Sequence, residues 1–282
     1  MNNLAMDGQP AACAACEGTG IEVLPNFSTA EARICACSRR CTQCGGARYL
    51  FSRDAAGRDI ARPCACALRE MRVRRYNEAR IPSKFANARL RPQYRDKDNE
   101  RAFSMFKLLA AEFQPGHKGI VLMGEAGVGK SFLVAAFLNE IIVRHGIGAQ
   151  FQDFFHLLKD LRSGYSQDRP ESELIEPLVN IDVLVIDELG KGRNTPWEKD
   201  ILDGIISQRY NNRKTTIFTS NYTDSRATTL VERVRSRDWN PGDGEVELRD
   251  TLQERVGSRI YSRLREMCDF VTMSGHDRRE AL

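Results

Sequence analysis

The chain has 282 residues, of which 41% are hydrophobic and 28% are charged, and its formal net charge is +4. This length suggests two domains, and this composition excludes a disordered chain. No apolar run approaches the roughly 18 residues of a membrane span, and the N-terminal residues lack the basic and apolar regions of a secretory signal. We therefore expect a globular protein of the cytoplasm, and the net charge is too small to identify a partner.

The front of the chain contains a repeated cysteine pattern. Two cysteines separated by two residues are followed, eighteen or nineteen residues later, by two cysteines separated by one residue, and this pattern occurs twice in tandem. Four thiolates complete a tetrahedral Zn²⁺ site, so the repeat predicts two structural zinc ions in a domain at residues 1–70. The predicted ligands are Cys13, Cys16, Cys35, Cys37, Cys41, Cys44, Cys64 and Cys66.

The spacing alone leaves the pairing of these ligands open. Sequential use assigns the first four cysteines to one ion and the last four to the other. In a crossed scheme the inner four, Cys35, Cys37, Cys41 and Cys44, bind one ion and the outer four bind the second. A disulfide framework is typical of secreted chains and a redox-active pair needs a thioredoxin-like context, so both fit this sequence less well. The segment has few large apolar residues, so metal binding is expected to supply its folding free energy. Cys268 stands apart and is expected to be a small buried residue.

Residues 71–97 are predicted to be a basic linker. Nine Lys or Arg and only two acidic residues lie between Ala67 and Arg95. This charge is as typical of a nucleic-acid contact as of a solvated linker helix. After the linker, apolar residues at helical spacing predict a helix from about Asp98 to Phe113.

A phosphate-binding loop is predicted between a short apolar strand at residues 118–123 and a helix that starts at Ser131. Glycines at this spacing let backbone N–H groups converge on phosphate oxygens without Cβ clashes. Lys130 supplies a charge for the β- and γ-phosphates of ATP, and Ser131 offers a hydroxyl to Mg²⁺. The predicted nucleotide-binding residues are Gly124, Glu125, Ala126, Gly127, Val128, Gly129, Lys130, Ser131 and Phe132.

Strands and helices are predicted to alternate after this loop, which indicates an α/β fold with a parallel sheet. Apolar, β-branched runs predict strands at residues 148–153, 183–186 and 215–220. Helices are predicted at residues 154–162 and 196–211, with another that starts within residues 170–172. Asp153 or a neighbour can cap the first of them.

Polar residues follow two of these strands. Asp187 and Glu188 come at the carboxyl end of the second strand, where parallel sheets bind ligands. Asp187 is suited to hold Mg²⁺, and Glu188 is suited to polarise the attacking water. Asn221 ends the third strand, and an amide there can contact the γ-phosphate or simply form a turn.

Five stretches of the chain resemble the AAA+ ATPases of the DnaC/DnaI helicase-loader group, which are relatives of IstB-type transposition helpers and of the DnaA initiator. The stretches are residues 81–85, 124–131, 183–190, 218–221 and 254–264. The resemblance implies an α/β ATPase sheet followed by a small helical lid region, in an AAA+ domain at residues 98–282. It also implies that ATP binds between neighbouring subunits of a self-associated protein, and that Asn221 is the sensor-1 residue.

The resemblance further implies an arginine finger near the end of the lid region. Arg263 matches that position best and Arg259, one helical turn earlier, is the second candidate. A guanidinium offers a planar, permanently charged fork to developing phosphate charge. The other interpretation is that the arginine-rich helix at residues 252–265 is a solvated or DNA-facing surface.

A helix that binds single-stranded DNA is implied between the strand at residues 148–153 and the strand that carries Asp187. Here that helix is at residues 154–164, with Phe151, Lys159 and Arg162 as possible contacts. An ordinary amphipathic helix with Phe155 and Leu158 facing the core is equally consistent. Residues 236–248 interrupt the family pattern and are interpreted as a surface loop or hairpin.

The predicted function is an ATP-dependent loader of the replicative DNA helicase, with a slow, partner-stimulated ATPase. The AAA+ domain binds ATP, Mg²⁺ and single-stranded DNA, and the zinc domain holds the helicase, as the front domain of DnaI-type loaders does. The doubled cysteine unit departs from that family pattern. The alternatives are an IstB-like transposition helper, which shares every ATPase residue, and a zinc-scaffolded adaptor or chaperone that uses ATP binding as a switch.

Overall fold

The computed structural model describes residues 13–38, 41–224 and 250–279. The chain forms two compact units, Met1–Asn87 with Asn139–Gly148 and Ala88–Leu138 with Ala149–Leu282. Within the described ranges no helix is both long enough and apolar enough to cross a membrane. The loop or hairpin expected at residues 236–248 lies outside the described residues.

The first unit contains two antiparallel hairpins and a helix. Its elements are β1 (Ile21–Asn26), β2 (Thr29–Ile34), β3 (Tyr49–Arg53), β4 (Asp59–Pro63) and α1 (Ala65–Glu78). In the first hairpin Val23 lies opposite Ala32 and both are buried, because alternate side chains of a strand share one face. In the second hairpin only Leu50 is partly buried. The second hairpin therefore has almost no apolar core of its own.

Helix α1 is joined to the rest of the first unit by side-chain hydrogen bonds. The Tyr76 hydroxyl donates to the amide oxygen of Asn139 at 2.6 Å, and Asn139 donates to the Phe85 carbonyl at 3.1 Å. Asn77 pairs with both backbone groups of Ala32, at 2.7 and 3.2 Å. The first residues of the segment predicted as a basic linker are therefore part of a folded helix.

The second unit contains a five-stranded sheet in which every neighbouring pair is parallel. Its strands are β5 (Gly119–Met123), β6 (Ala149–Asp153), β7 (Val183–Asp187), β8 (Thr215–Ser220) and β9 (Cys268–Thr272), in the order β6-β7-β8-β5-β9. Strands β5, β7 and β8 are buried along their whole length. Their carboxyl ends meet at one edge, where Met123 lies opposite Ser220. This arrangement confirms the predicted α/β fold with a parallel sheet.

Helices cover this sheet. They are α2 (Glu100–Glu112), α3 (Lys130–Glu140), α4 (Phe154–Ser166), α5 (Glu171–Asn180), α6 (Pro196–Asn211), α7 (Leu252–Val256) and α8 (Ser258–Met267). A π-helical turn, Ile141–His145, follows α3. Asp153 caps α4 by accepting from the His156 N–H at 3.0 Å, as predicted, and α4 continues past the expected end to Ser166.

The structure divides one predicted helix. The sequence predicts a single helix at residues 252–265, but α7 and α8 are separate because Gly257 adopts φ 87° and ψ 154° between them. Both precede β9, and α8 packs against α6, so they belong to the layers of the sheet. The resemblance places a lid region after the sheet, whereas no described residue after β9 is helical.

Candidate functional site

The phosphate-binding loop connects β5 to α3. Gly127 has φ 84°, a left-handed conformation that favours glycine. The Lys130 ammonium donates to the carbonyls of Gly124 and Glu125 at 2.9 and 2.7 Å, and to the amide oxygen of Asn221 at 2.7 Å. Burial lowers the pKa of Lys130, and the nearby carboxylates of the site oppose that shift. The structure therefore brings Lys130 and Asn221 together, although 91 residues separate them.

The Asp187 carboxylate lies beside Ser131, the residue that follows Lys130. One Asp187 oxygen accepts from the Ser131 hydroxyl at 2.8 Å and from the Thr219 hydroxyl at 2.5 Å. Burial raises the pKa of Asp187, and the hydrogen bonds from Thr219 and Ser131 oppose that shift. A carboxylate and a hydroxyl this close are the oxygen ligands that Mg²⁺ takes beside nucleotide phosphates. Ser131 and Asp187 could thus hold this ion together, as predicted from the sequence.

The Glu188 backbone is held in an uncommon conformation. Its φ is 57°, and its N–H donates to the Thr219 hydroxyl at 3.0 Å. Its carboxylate forms an ion pair with the Lys191 ammonium. A non-glycine residue in the left-handed region persists only where its surroundings fix it, and such residues cluster at functional sites.

Arg255 fixes the segment that follows Glu188. Its guanidinium donates to the carbonyls of Gly190 and Gly192 at 2.7 and 2.6 Å, and lies 5.1 Å from the ring centroid of Tyr222. Tyr222 follows Asn221 directly. Arg255 therefore connects the segments that carry two predicted catalytic residues, and no local sequence pattern had indicated this.

The segment at residues 273–279 lies against the phosphate-binding loop. The backbone N–H of Arg278 donates to the Gly127 carbonyl at 3.0 Å. A Cβ atom added at Gly127 would lie 2.1 Å from the Asp277 carboxylate. This contact and the positive φ together favour glycine at this position. Arg278 also pairs with Asp96 at 2.5 Å, and the charge of Arg279 adds to burial in lowering the pKa of Lys130. No sequence motif at Arg278 or Arg279 predicts these contacts.

Phe132 and the remaining loop residues surround this core of the site. The Phe132 ring is half-buried and packs edge-on against Tyr94, with ring centroids 5.2 Å apart. Val128 is buried, whereas Glu125 and Ala126 are exposed. The loop thus has an exposed tip at Glu125 and Ala126 and a buried apolar anchor at Val128.

The two candidate finger arginines share one partner on α6. Arg263 pairs with Asp203 at 2.5 Å, and Arg259 reaches the same carboxylate at 3.5 Å. The Arg263 side chain is 23% exposed and that of Arg259 is 74% exposed. Within one chain, the hydrogen bonds described for Arg263 therefore go to Asp203 and not to the residues of its own phosphate-binding loop.

The predicted single-strand-binding helix is α4, and it is amphipathic. Lys159 and Arg162 are exposed, Leu158 is buried, and Phe155 is 51% exposed. Phe151 is only 4% exposed in β6, so the prediction that it contacts DNA is wrong. Of the alternative, in which Phe155 and Leu158 face the core, the part about Leu158 is confirmed and the part about Phe155 is wrong.

The eight front cysteines form two groups, each with its sulfur atoms within 4.8 Å of one another. The groups are Cys13, Cys16, Cys35 and Cys37, and Cys41, Cys44, Cys64 and Cys66. Sulfur–sulfur distances of 3.4–3.8 Å within them match the separation of about 3.8 Å expected around tetrahedral zinc. A disulfide would need about 2.05 Å. The groups follow the sequential scheme, so the crossed scheme is wrong.

Backbone N–H groups favour the thiolate of Cys41 in the second group. The N–H groups of Cys44 and Gln43 lower the pKa of Cys41 to about 6. Cys64 is the N-cap of α1, so this group lies at the positive end of a helix dipole.

Cys268 is buried in the second unit, where its thiol donates to the Thr216 carbonyl at 3.5 Å and burial raises its pKa. Its expected role as a small buried residue is confirmed.

Comparison with known proteins identifies the family. A profile of the IstB-like ATP binding proteins matches residues 67–230. The replicative helicase loader DnaC of Escherichia coli strain K12 is 28% identical over 187 residues, which cover 61% of this chain and 75% of the relative. The crystal structure of the DnaC helicase loader has a TM-score of 0.55 and 28% identity, covering 67% of this chain and 98% of its own. The crystal structure of DnaI, with a TM-score of 0.50 and 22% identity, covers 70% of this chain and 94% of its own and shares the fold. These matches confirm the predicted AAA+ resemblance, and the chain belongs to the family of IstB-like ATP-binding proteins.

Proposed function

We propose that this protein is an ATP-dependent loader of a replicative DNA helicase and that it acts in the cytoplasm. The observation that carries the proposal is the meeting of Lys130, Ser131, Asp187 and Asn221 at one edge of the sheet, in a chain similar to a replicative helicase loader. A loader must release the helicase after binding it, and ATP hydrolysis provides an irreversible step for that release.

Each residue at this edge has a distinct role in the proposal. Lys130 exchanges its carbonyl partners for the β- and γ-phosphates of ATP, and Asn221 then contacts the γ-phosphate or the attacking water. Ser131 and Asp187 hold Mg²⁺, which neutralises developing phosphate charge when it is bound. Glu188 orients and polarises the attacking water. The ion pair with Lys191 must open, or shift, for the Glu188 carboxylate to accept from water.

ATP hydrolysis is proposed to require a neighbouring subunit. Arg263 is the proposed finger toward the neighbour's γ-phosphate, with Arg259 as the second candidate. We expect Arg263→Ala to lower turnover about a thousandfold or more while nucleotide binding is retained, because a finger contacts developing charge and not the bound ground state. Asp203→Asn is the matched control: an equal loss of turnover there would assign the effect to the ion pair instead.

Each of the two units is proposed to bind a different partner. The zinc-bearing front, with one ion in each cysteine group, holds the helicase, and α4 contacts single-stranded DNA through Lys159 and Arg162. A second candidate function, a helper ATPase of transposition, is favoured by the match to the IstB-like profile. It uses the same ATPase residues and differs only in the protein that is held.

Turnover measurements test the enzymatic part. We expect slow ATP hydrolysis that single-stranded DNA stimulates, and we expect Glu188→Gln to lower it by about 10²-fold or more without loss of ATP binding. Lys130→Ala should lose both binding and turnover. ATP binding without turnover under any of these conditions would instead favour an adaptor that uses ATP as a switch.

Partner capture tests the biological part. The full chain is used as bait in extract, beside a Cys41→Ser variant that disrupts one cysteine group. Recovery of a hexameric helicase by the intact chain, and its loss with the variant, supports the loader. Recovery of a transposase without a helicase would overturn it in favour of the transposition helper.

A further inference from the structure

Helices α4, α5 and α6 border an open pocket on the second unit. Its volume is about 370 Å³ and its lining residues come from all three helices. They are Arg162, Tyr165, Glu171, Trp197 and Ile201. Pockets that combine aromatic rings with a few polar groups are the usual form of a small-ligand subsite. None of the residues assigned to ATP lies in this pocket.

The aromatic rings of the pocket are held in fixed contact. Tyr165 and Trp197 meet edge to face with ring centroids 6.5 Å apart, and the Arg162 guanidinium lies 4.8 Å from the Trp197 ring. Both rings are only partly buried. A pre-positioned, partly exposed tryptophan offers a flat apolar surface at little entropic cost, because its rotamer is already fixed by its neighbours.

The polar groups of the pocket suit an uncharged, hydrogen-bonding ligand. Glu171 contributes a carboxylate acceptor, and burial together with the Glu171 charge raises the pKa of Tyr165, which keeps its hydroxyl a donor. The Glu171 carboxylate and the Arg162 guanidinium cancel each other's formal charge in the lining, so the pocket does not favour a charged phosphate over an uncharged group. A nucleobase, which is flat, neutral and carries both donors and acceptors, meets these conditions.

Cationic side chains lead to the pocket along α4. Lys159 and Arg162 are three residues apart and both exposed, so they lie on one face of the helix, about 5–6 Å apart at their Cβ atoms. Phe155, one turn before Lys159, is 51% exposed. Alternating basic and aromatic side chains are the general means by which proteins bind single strands without sequence preference. Phosphates are therefore expected along α4 and a base in the pocket.

We propose that this pocket receives one unpaired base of a single-stranded nucleic acid, packed against Trp197 and the guanidinium plane of Arg162. The backbone on either side of that base contacts Lys159 and Arg162. A base in a duplex is stacked and paired, so it cannot enter. The inference rests on the proposed function in one respect, namely that α4 contacts single-stranded DNA.

Trp197 itself is the reporter for the test. The chain has two tryptophans, and Trp239→Phe leaves Trp197 as the sole one. In this background, a twelve-residue oligothymidylate is added in the presence of ATP, and tryptophan emission and the anisotropy of a labelled copy are both recorded. We expect saturable quenching that follows the anisotropy, because stacking quenches indole emission, and no quenching by a duplex of the same length.

Substitutions test whether the pocket contributes to affinity. In the natural background, Trp197→Ala should weaken oligothymidylate binding about tenfold, whereas Trp197→Phe retains most of it because a stacking ring remains. Leu108→Ala removes another exposed apolar side chain of the same unit, which is 58% exposed, and should change nothing. Unchanged melting temperature and unstimulated ATP turnover show that each variant is folded.

The outcomes separate this inference from the proposed function. Binding by anisotropy without quenching, or with equal affinity for Trp197→Ala, overturns the base pocket and leaves DNA binding by α4 intact. Equal quenching by the duplex also overturns it, because a duplex can contact only the phosphate-binding side chains. Absence of DNA binding at low salt and with ATP overturns both the pocket and the DNA part of the proposed function.

Discussion

Asp187 is a buried carboxylate whose partners in the free protein are two hydroxyl groups, from Ser131 and Thr219. Burial raises its pKa, so the folded chain holds the proton more tightly than the unfolded chain. Ionised Asp187 therefore destabilises the fold, and this cost is present at pH values above its folded-state pKa. A cation beside Asp187 would offset the cost, which links the stability of the unit to occupancy of the site.

Replacement of Asp187 by asparagine is predicted to stabilise the nucleotide-free protein. The amide keeps an acceptor for both hydroxyls and removes the buried charge, so we expect a gain on the order of 1 kcal/mol, or about 2–4 °C in melting temperature. Added Mg²⁺ and ATP should then stabilise the variant less than they stabilise the natural chain. Thermal melts with and without both ligands measure this. Asp269→Asn, an exposed carboxylate, is the control, and a decreased melting temperature for Asp187→Asn alone would contradict the argument.

The residues that the sequence could predict at this site are those whose chemistry follows local spacing. Lys130 and Ser131 are fixed by the glycine spacing, and Asp187 by its place after an apolar strand. Thr219 and Arg255 could not be predicted, because their partners are 32 and 65 residues away and neither lies in a recognisable pattern. Their roles arise from the order of the strands, which the spacing of residues within a motif does not encode.

Elements with clear local signals were predicted to the residue, and elements without them were not. The structure has α6 at Pro196–Asn211 and β8 at Thr215–Ser220, as the sequence predicts, and Thr195 completes a capping box with Glu198 at the start of α6. The division of α7 from α8 was missed. Hydrophobic spacing continues across Gly257, so only its backbone conformation separates the two helices.

A pair of glycines provides a matched test of that division. A Cβ would meet no atom within 4 Å at either Gly257 or Gly204, but only Gly257 has a positive φ. We expect Gly257→Ala to cost about 1–3 kcal/mol through backbone strain, and Gly204→Ala, inside α6, to gain about 0.5–1 kcal/mol. Urea unfolding of both variants measures the difference. Equal effects of the same sign would show that α7 and α8 do not depend on this conformation.

Arg209 joins three elements from inside the second unit. Its guanidinium donates to the carbonyls of Leu178, Val179 and Ile181 at the end of α5, and to Thr215 and Thr216 of β8. It is fully buried, and burial lowers its pKa, but the five oxygen acceptors stabilise the charged form. An arginine near the end of a helix gave no indication of such a role in the sequence.

Arg209→Met is predicted to destabilise the second unit by about 3 kcal/mol or more, because several buried carbonyls lose their donor at once. Methionine keeps most of the volume, so a cavity is not the cause. Urea unfolding followed by tryptophan fluorescence measures the loss. Arg101→Met, at an exposed position of α2, should change stability by less than about 0.5 kcal/mol. A loss below 1 kcal/mol for Arg209→Met would mean that water replaces the guanidinium.

At the scale of the molecule, residues 13–66 of the first unit and the whole second unit obtain their stability from different sources. The second unit has an extended apolar core that includes its sheet and the helices on it. In residues 13–66, Ile21 and Val23 are the only large aliphatic residues among the buried described ones. A sequence count of apolar residues could predict this contrast. The assignment of ligands to each group could not be predicted, because both pairing schemes satisfy the same spacing.

Metal removal is therefore predicted to unfold the front of the first unit and to leave the second unit folded. Protein purified without chelator should contain two zinc ions per chain, Cys41→Ser should contain one, and Cys268→Ala should still contain two. Treatment with EDTA in the absence of nucleotide should make residues 13–66 sensitive to protease, because metal coordination supplies most of their folding free energy. The melting temperature of the second unit should not change. Zinc near zero in untreated protein, or a front that resists protease after zinc is removed, would show that hydrogen bonds and the small apolar cluster around Val23 are sufficient to fold it.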